Sequence, residues 1–238
     1  MIIAIIPARG GSKRIPRKNI RAFAGRPMIA HAIQAAKACG IFERIVVSTD
    51  DEEIRHIAAE HGAEVPFARP AELANDHATT APVIRHAILA CEALGWDIAW
   101  ACCMYPAVPF IRTEDIAAGL ELLRRSSADF CYPVTAFPSA IQRALRRLPD
   151  GRLSFFQPEH ELTRTQDLEP AYHDAGQFYW GSRKAWIENP RMHSSGVGLP
   201  IPHWRVVDID TPEDWERAEL LHKALQGDGS GATGARHI

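Results

Sequence analysis

A chain of 238 residues that is 46% hydrophobic and 24% charged has the composition of a folded globular protein and the length of one large α/β domain. Its net charge of −2 argues against nucleic acid as a partner, since that needs an extended basic face. No apolar run approaches the roughly 20 residues of a membrane span, no cationic segment precedes the first apolar run as in a signal peptide, and five cysteines without Cys-x-x-Cys spacing make no secreted disulfide framework, so no membrane and a cytoplasmic location are expected.

Ile2 to Ile6 run without a charge, the pattern of a strand buried on both faces in a parallel sheet, and Pro7, which has no N–H to donate, should end it. The loop that follows carries Gly10-Gly11 and five cations, Arg9, Lys13, Arg14, Arg17 and Lys18, with no acid among them. The rest of the chain carries −7, so positive charge is concentrated here. Adjacent glycines let backbone N–H groups turn toward an anion and let a ligand come close. A solvated basic turn is the plainer alternative, but glycine pair, charge and strand exit coincide, which favours a phosphate site. The loop has neither the Gly-Lys-Ser/Thr ending of a Walker A loop nor a G-x-G-x-x-G fingerprint.

Pro27 opens a helix to about Cys39, stopped by Gly40. Strand 44–49 follows, then Asp50 and Asp51 precede a helix to about Glu60, and a short strand runs over 63–67. This β-α-β-α-β order argues for a doubly wound, mostly parallel sheet. A helix over 81–94, strand 98–103, a helix over 113–125 and strand 130–134 continue it. From Ser139 to Tyr172 the periodicity degrades, with a hairpin turn at Asp150-Gly151, and the segment reads as an arm. Strand 176–180, a short helix from Ser182, a last strand over 205–209 and a helix from Thr211-Pro212 to about Leu225 complete a single domain over 1–225. Residues 226–238 read as a glycine-rich flexible tail.

Asp208 and Asp210 flank Ile209 at the end of that last expected strand, where residues two apart share a face and can meet one cation. Thr211, Pro212 and Asp214 suffice to cap the following helix, so neither aspartate is needed there. Two carboxylates suit a hard divalent ion, Mg²⁺. Arg69, Asn75, Asp76, Thr79, Thr80 and Tyr105 all lie beside expected strand or helix ends, where open α/β sheets bind ligands, though each also has a plain structural explanation. Tyr172 to Gly181 could be a sugar-packing wall using Asp174 and Gln177, or a core strand.

These motifs, IIPARGGSKRIPRKNI, VVSTDDEEI, PFARPAELANDHATT and VVDIDTPEDW, occur in an order that resembles the cytidylyltransferases activating eight- and nine-carbon ulosonic acids, the CMP-sialic acid synthetase family. Within it, CCMYPAVPF and DAGQFYWG look most like the branch acting on pseudaminic acid; the sialic acid branch resembles Gln-Pro-Thr-Ser-Pro at the first place and Asn-Gly-Ala-Ile-Tyr at the second. The resemblance implies a Rossmann-like α/β fold with a dimerisation arm over about 139–172, CTP and a nonulosonic acid as substrates, Mg²⁺ as cofactor and a homodimer. It implies CTP binding by Ala8, Arg9, Gly10, Gly11, Ser12, Lys18 and Asn19, with Arg69, Asp76 and Thr80 beside base and ribose. Arg9 and Lys18 would act on the triphosphate, Asp208 and Asp210 on the metal. Tyr105, Arg143, Arg164, Gln177, Phe178 and Tyr179 are the residues expected at the sugar.

Overall fold

The structure, a computed structural model, describes residues 1–227. Its elements run β1 (Ile2–Pro7), β2 (Ala22–Phe23), β3 (Arg26–Pro27), α1 (Met28–Cys39), β4 (Arg44–Ser48), α2 (Glu52–Glu60), α3 (Thr80–Glu92), β5 (Trp100–Met104), α4 (Thr113–Arg125), β6 (Phe130–Ala136), β7 (Leu145–Arg147), β8 (Leu153–Phe155), β9 (Tyr172–Asp174), β10 (Phe178–Ser182), α5 (Arg183–Glu188), β11 (Gly196–Pro200) and α6 (Pro212–Gly227). The expected tail lies outside the described residues, apart from 226 and 227, which continue α6.

The main sheet is ordered β11-β6-β10-β5-β1-β4, with β9 paired to β6. β1 runs parallel to both β4 and β5. β10 is antiparallel to β5 and β6, and β11 is parallel to β6. The sheet is therefore mixed but mostly parallel, with helices on both faces, which is the α/β class expected.

Period-two alternation in β1 divides the core. Ala4 and Ile6 face one layer with Ile29 and Ile33 of α1, Ile54 of α2 and Leu120 of α4. Ile3 and Ile5 face the other with Ile84 and Ile88 of α3 and Trp186 of α5. Each of these isoleucine and leucine side chains, fully buried, contributes about 1.5–3 kcal/mol. The buried indoles are satisfied: Trp180 Nε1 donates to the Ile116 carbonyl at 2.8 Å and Trp186 Nε1 to the Ala101 carbonyl at 3.0 Å.

A third apolar cluster lies off the sheet and positions the site. Ile15, buried in the middle of the cationic loop, packs with Phe23, Met28, Phe110, Ile209, Trp215 and Ala218. It ties the loop to the Asp208–Asp210 segment and to α6. The capping box expected at α6 is formed: Asp214 N–H donates to Thr211 Oγ1 at 3.2 Å, and Asp214 Oδ2 accepts from Thr211 N–H at 2.9 Å.

Two strands expected from the sequence are absent. Residues 63–67 make only an isolated bridge, Val46 with Glu64. Residues 205–209 form no strand: Arg205 ends a 3-10 turn and 206–209 pair with nothing, while Gly196–Pro200 lies beside β6 and Ile209 packs into the third cluster. Residues 139–172 do leave the sheet after β6 and return as β9, with the hairpin β7–β8 between them. Leu145, Leu153, Phe156 and Leu162 are exposed there, Leu162 by 95%.

Candidate active site

The carboxyl ends of β1 and β5 open on a cavity of about 460 Å³, within the range of small-molecule sites. Of the residues expected at a nucleotide, Arg9, Ser12, Lys18, Asn19, Arg69, Asp76 and Thr80 line it, with Asp210 and Tyr105. Ala8, Gly10 and Gly11 do not. Ala8 is buried and donates its N–H to the Ser48 carbonyl at 2.9 Å. The Gly10 N–H, expected to face an anion, is instead engaged with Asp50 Oδ1 at 3.1 Å. Asn19 is buried, and its Nδ2 donates to the Arg9 carbonyl at 3.0 Å, which shapes the loop from within.

The four loop cations that line the cavity are held by two acids. Asp76 meets Arg9 at 2.9 Å and Lys13 at 2.5 Å, and its carboxyl is held below the usual range, first by the Lys13 hydrogen bond. Asp210 meets Arg14 at 2.8 Å and Lys18 at 3.2 Å, while Lys18 also donates to the Ile209 carbonyl at 2.8 Å. Arg69 is buried on the β4 side, where Nε donates to Ser48 Oγ at 3.1 Å. Burial pushes its guanidinium down to about 10, so it remains a cation at neutral pH. Asp208 lies outside the lining; loss of surrounding water, then the charge of Asp210, raises its carboxyl above the usual range.

A second cavity of about 590 Å³ adjoins the first and shares Ala78, Thr79, Thr80 and Tyr105 with it. Arg191, Met192 and His193 form its far wall. Tyr105 stands between the two, with its hydroxyl 2.8 Å from Thr80 Oγ1 and its ring 5.3 Å from that of Tyr179. Asp174 Oδ2 accepts from Tyr179 Oη at 2.6 Å and pairs with His193 Nε2 at 2.9 Å.

The other residues expected at the sugar fall elsewhere. Phe178 is fully buried in the core, close enough to α4 that a Cβ on Gly119 would lie 2.9 Å from its ring, so it offers no wall to a ligand. Gln177 is buried and donates to the Arg205 carbonyl at 2.9 Å, bracing that backbone instead. Tyr179 is buried too, and lies behind the cleft, its ring against those of Tyr105 and His193. Arg143 and Arg164 are exposed on the arm and line neither cavity; Arg164 pairs with Asp167 at 2.7 Å.

Residues 3–190 match the cytidylyltransferase family. The chain belongs to that family. It is 40% identical over 224 residues to the pseudaminic acid cytidylyltransferase of Campylobacter jejuni serotype O:2, a match covering 93% of this chain and 96% of the relative. It is 32% identical to the CMP-N,N'-diacetyllegionaminic acid synthase of Legionella pneumophila, covering 94% and 97%. Among solved structures, a CMP:2-keto-3-deoxy-manno-octonic acid synthetase complexed with CTP shares the fold, with a TM-score of 0.68 at 18% identity over 94% of this chain and 99% of that one.

The two cavities of this cytidylyltransferase are also lined by residues that no motif in its sequence marks. Ile15, Leu73 and Val83 give the first cavity apolar lining, and Arg191 brings a cation to the second. No local motif marks the apolar three. Arg191 sits in a polar loop among Pro190, His193 and Ser194, where a surface position is the plainer reading.

Proposed function

We propose that this cytidylyltransferase transfers CMP from CTP to the anomeric hydroxyl of a nonulosonic acid, pseudaminic acid, and releases pyrophosphate. The observation that carries the reading is near-full-length identity of 40% to a pseudaminic acid enzyme, joined to a cavity at the strand ends lined by Arg9, Lys18 and Arg69. The hydroxyl attacks the α-phosphorus in line, and no protein nucleophile intervenes. Lys18 and Arg9 exchange their carboxylate partners for phosphate oxygens and stabilise charge as it moves toward pyrophosphate.

Asp208 and Asp210 fit a hard divalent cation: both offer carboxylate oxygens, and the rise at Asp208 reflects in part a mutual repulsion that a cation would relieve. Mg²⁺ held there would neutralise phosphate charge and acidify the attacking hydroxyl. The acceptor occupies the second cavity, with Tyr105 as one wall and Arg191 facing its carboxylate. The exposed apolar side chains of the arm support a homodimer in which Arg143 and Arg164 reach the partner's acceptor. A cytoplasmic location agrees with nucleotide-dependent sugar activation.

The test is release of pyrophosphate from CTP with Mg²⁺ and a panel of pseudaminic, legionaminic, sialic and 3-deoxy-octulosonic acids. Turnover with pseudaminic acid is expected. CTP binding without turnover of any acceptor would instead favour a nucleotide-binding regulator.

A further inference from the structure

The acids after β4 do more than start a helix. Asp51 does cap α2, its Oδ1 accepting the Ile54 N–H at 2.9 Å. The same carboxylate takes two hydrogen bonds from Arg17, at 2.5 Å and 3.1 Å, and Arg17 also reaches Glu53. Arg17 sits at φ +56°, a left-handed conformation uncommon for a non-glycine residue, so its backbone is held against a local cost. Asp50 accepts the Gly10 N–H at 3.1 Å. Gly10 in turn lies directly under Asp51: a Cβ there would stand 2.5 Å from Asp51 Oδ2 and 2.9 Å from Asp51 Cβ. A methyl group has no room unless Asp51 moves.

The two pinned positions have telling neighbours. Gly10 follows Arg9, and Arg17 precedes Lys18; Arg9 and Lys18 line the nucleotide cavity, whereas Gly10 and Arg17 do not. A loop with five cations and no acid repels itself. Pairing Arg17 with Asp51 and Glu53 removes part of that repulsion on the side away from the ligand. The Arg17 bond holds the Asp51 carboxyl below the usual range, as a persistent ion pair should.

We propose that Asp50 and Asp51 are positioning residues for the phosphate loop: through Gly10 and Arg17 they set where Arg9 and Lys18 meet the triphosphate. The inference rests on the CTP-dependent reading above. It predicts that Asp51→Asn, which keeps a capping side chain but loses the charge, raises KM for CTP about tenfold. Its KM for the acceptor should stay within about twofold, and kcat should change less than KM.

Gly10→Ala should weaken CTP binding about thirtyfold or more. Combined with Asp51→Gly, which clears the space, the loss should be no greater than that of Asp51→Gly alone, a non-additivity expected only of residues that share one volume. Titration calorimetry with CTP and Mg²⁺ reads the affinities, and circular dichroism with thermal melting confirms that each variant is folded. A folded Asp51→Asn protein with wild-type KM for CTP, or additive losses in the Gly10→Ala/Asp51→Gly pair, would overturn the assignment alone. Failure of the wild-type protein to bind CTP would overturn the functional reading and this inference with it.

Discussion

At the loop end of the cleft, cations come already matched to acids, Arg9 and Lys13 on Asp76, Arg14 and Lys18 on Asp210. At the far end the arrangement inverts: Tyr179 and His193 converge on a single carboxylate, Asp174, and the rings of Tyr105 and Tyr132 pack against that of Tyr179. On the proposed reading the first end is an ion-exchange site, where a polyanion would displace Asp76 and Asp210 from the cations and free Asp210 to join Asp208 on a metal. The second presents the Tyr105 ring, His193, Met192, Thr79, Thr80 and the cation Arg191, backed by the Tyr179–Asp174 pair, a lining suited to a bulky ligand with few charges. Two substrates as different as a nucleoside triphosphate and an acylated sugar acid call for two such ends. The contrast also tells which substitutions should injure which substrate.

The largest effect is expected where the two ends meet in chemistry. Replacing Asp208 and Asp210 together by alanine should lower kcat on the order of a hundredfold or more, by removing the charge-neutralising cation. The same change should leave Arg14 and Lys18 without their carboxylate, so CTP binding in the absence of Mg²⁺ should not weaken. Near-normal turnover in the folded double variant would break the metal assignment.

Next is Lys18→Ala, which removes a charge-assisted contact to phosphate at a cost of roughly 1.5–3 kcal/mol, about ten- to a hundredfold in kcat/KM for CTP. Unchanged constants for CTP would mean that the loop binds another anion. Arg191→Ala should act on the other end: KM for the acceptor rises about three- to thirtyfold, while CTP affinity, measured by calorimetry, stays as it was. A matching loss of CTP affinity would erase the division between the two ends.

The smallest effect on CTP should come from the arm. Leu153→Ser with Leu162→Ser removes two exposed apolar side chains, 62% and 95% accessible in the protomer. Sedimentation should show a weakened dimer, with CTP affinity in the protomer preserved. An unaltered oligomer would place the subunit contact elsewhere.

The loop end was also the more legible in the sequence. Its anchors are local: an uncharged run for β1, a glycine pair, a cation cluster, and a Thr-Pro-Glu-Asp cap, each with a short-range cause. The structure adds what spacing cannot give, that Ile15 is buried beneath the cations and that Gly10 spends its N–H on Asp50.

The far end, where the sugar is proposed to bind, depends on contacts between residues far apart in the chain. Phe178 and Gln177 looked available because Tyr172–Gly181 mixes aromatic and polar groups, yet β10 is a central strand, buried on both faces. Gly196–Pro200 gave no strand signal, since two glycines and a proline carry little β-propensity, while the β-branched Val206-Val207 mimicked one. Loop position, not local composition, brings Arg191 and His193 to the cleft.

The central claim is the choice of acceptor, and one measurement tests it most directly: kcat/KM for pseudaminic acid against sialic acid, both with CTP and Mg²⁺, by pyrophosphate release. Burying a hydroxyl without a partner costs roughly 1–3 kcal/mol, and the Tyr105 ring and Met192 in the second cavity should favour the acceptor that presents a methyl group where sialic acid has a terminal hydroxyl. The account predicts a preference of at least about tenfold for pseudaminic acid, equivalent to about 1.4 kcal/mol. Equal or better use of sialic acid would contradict it.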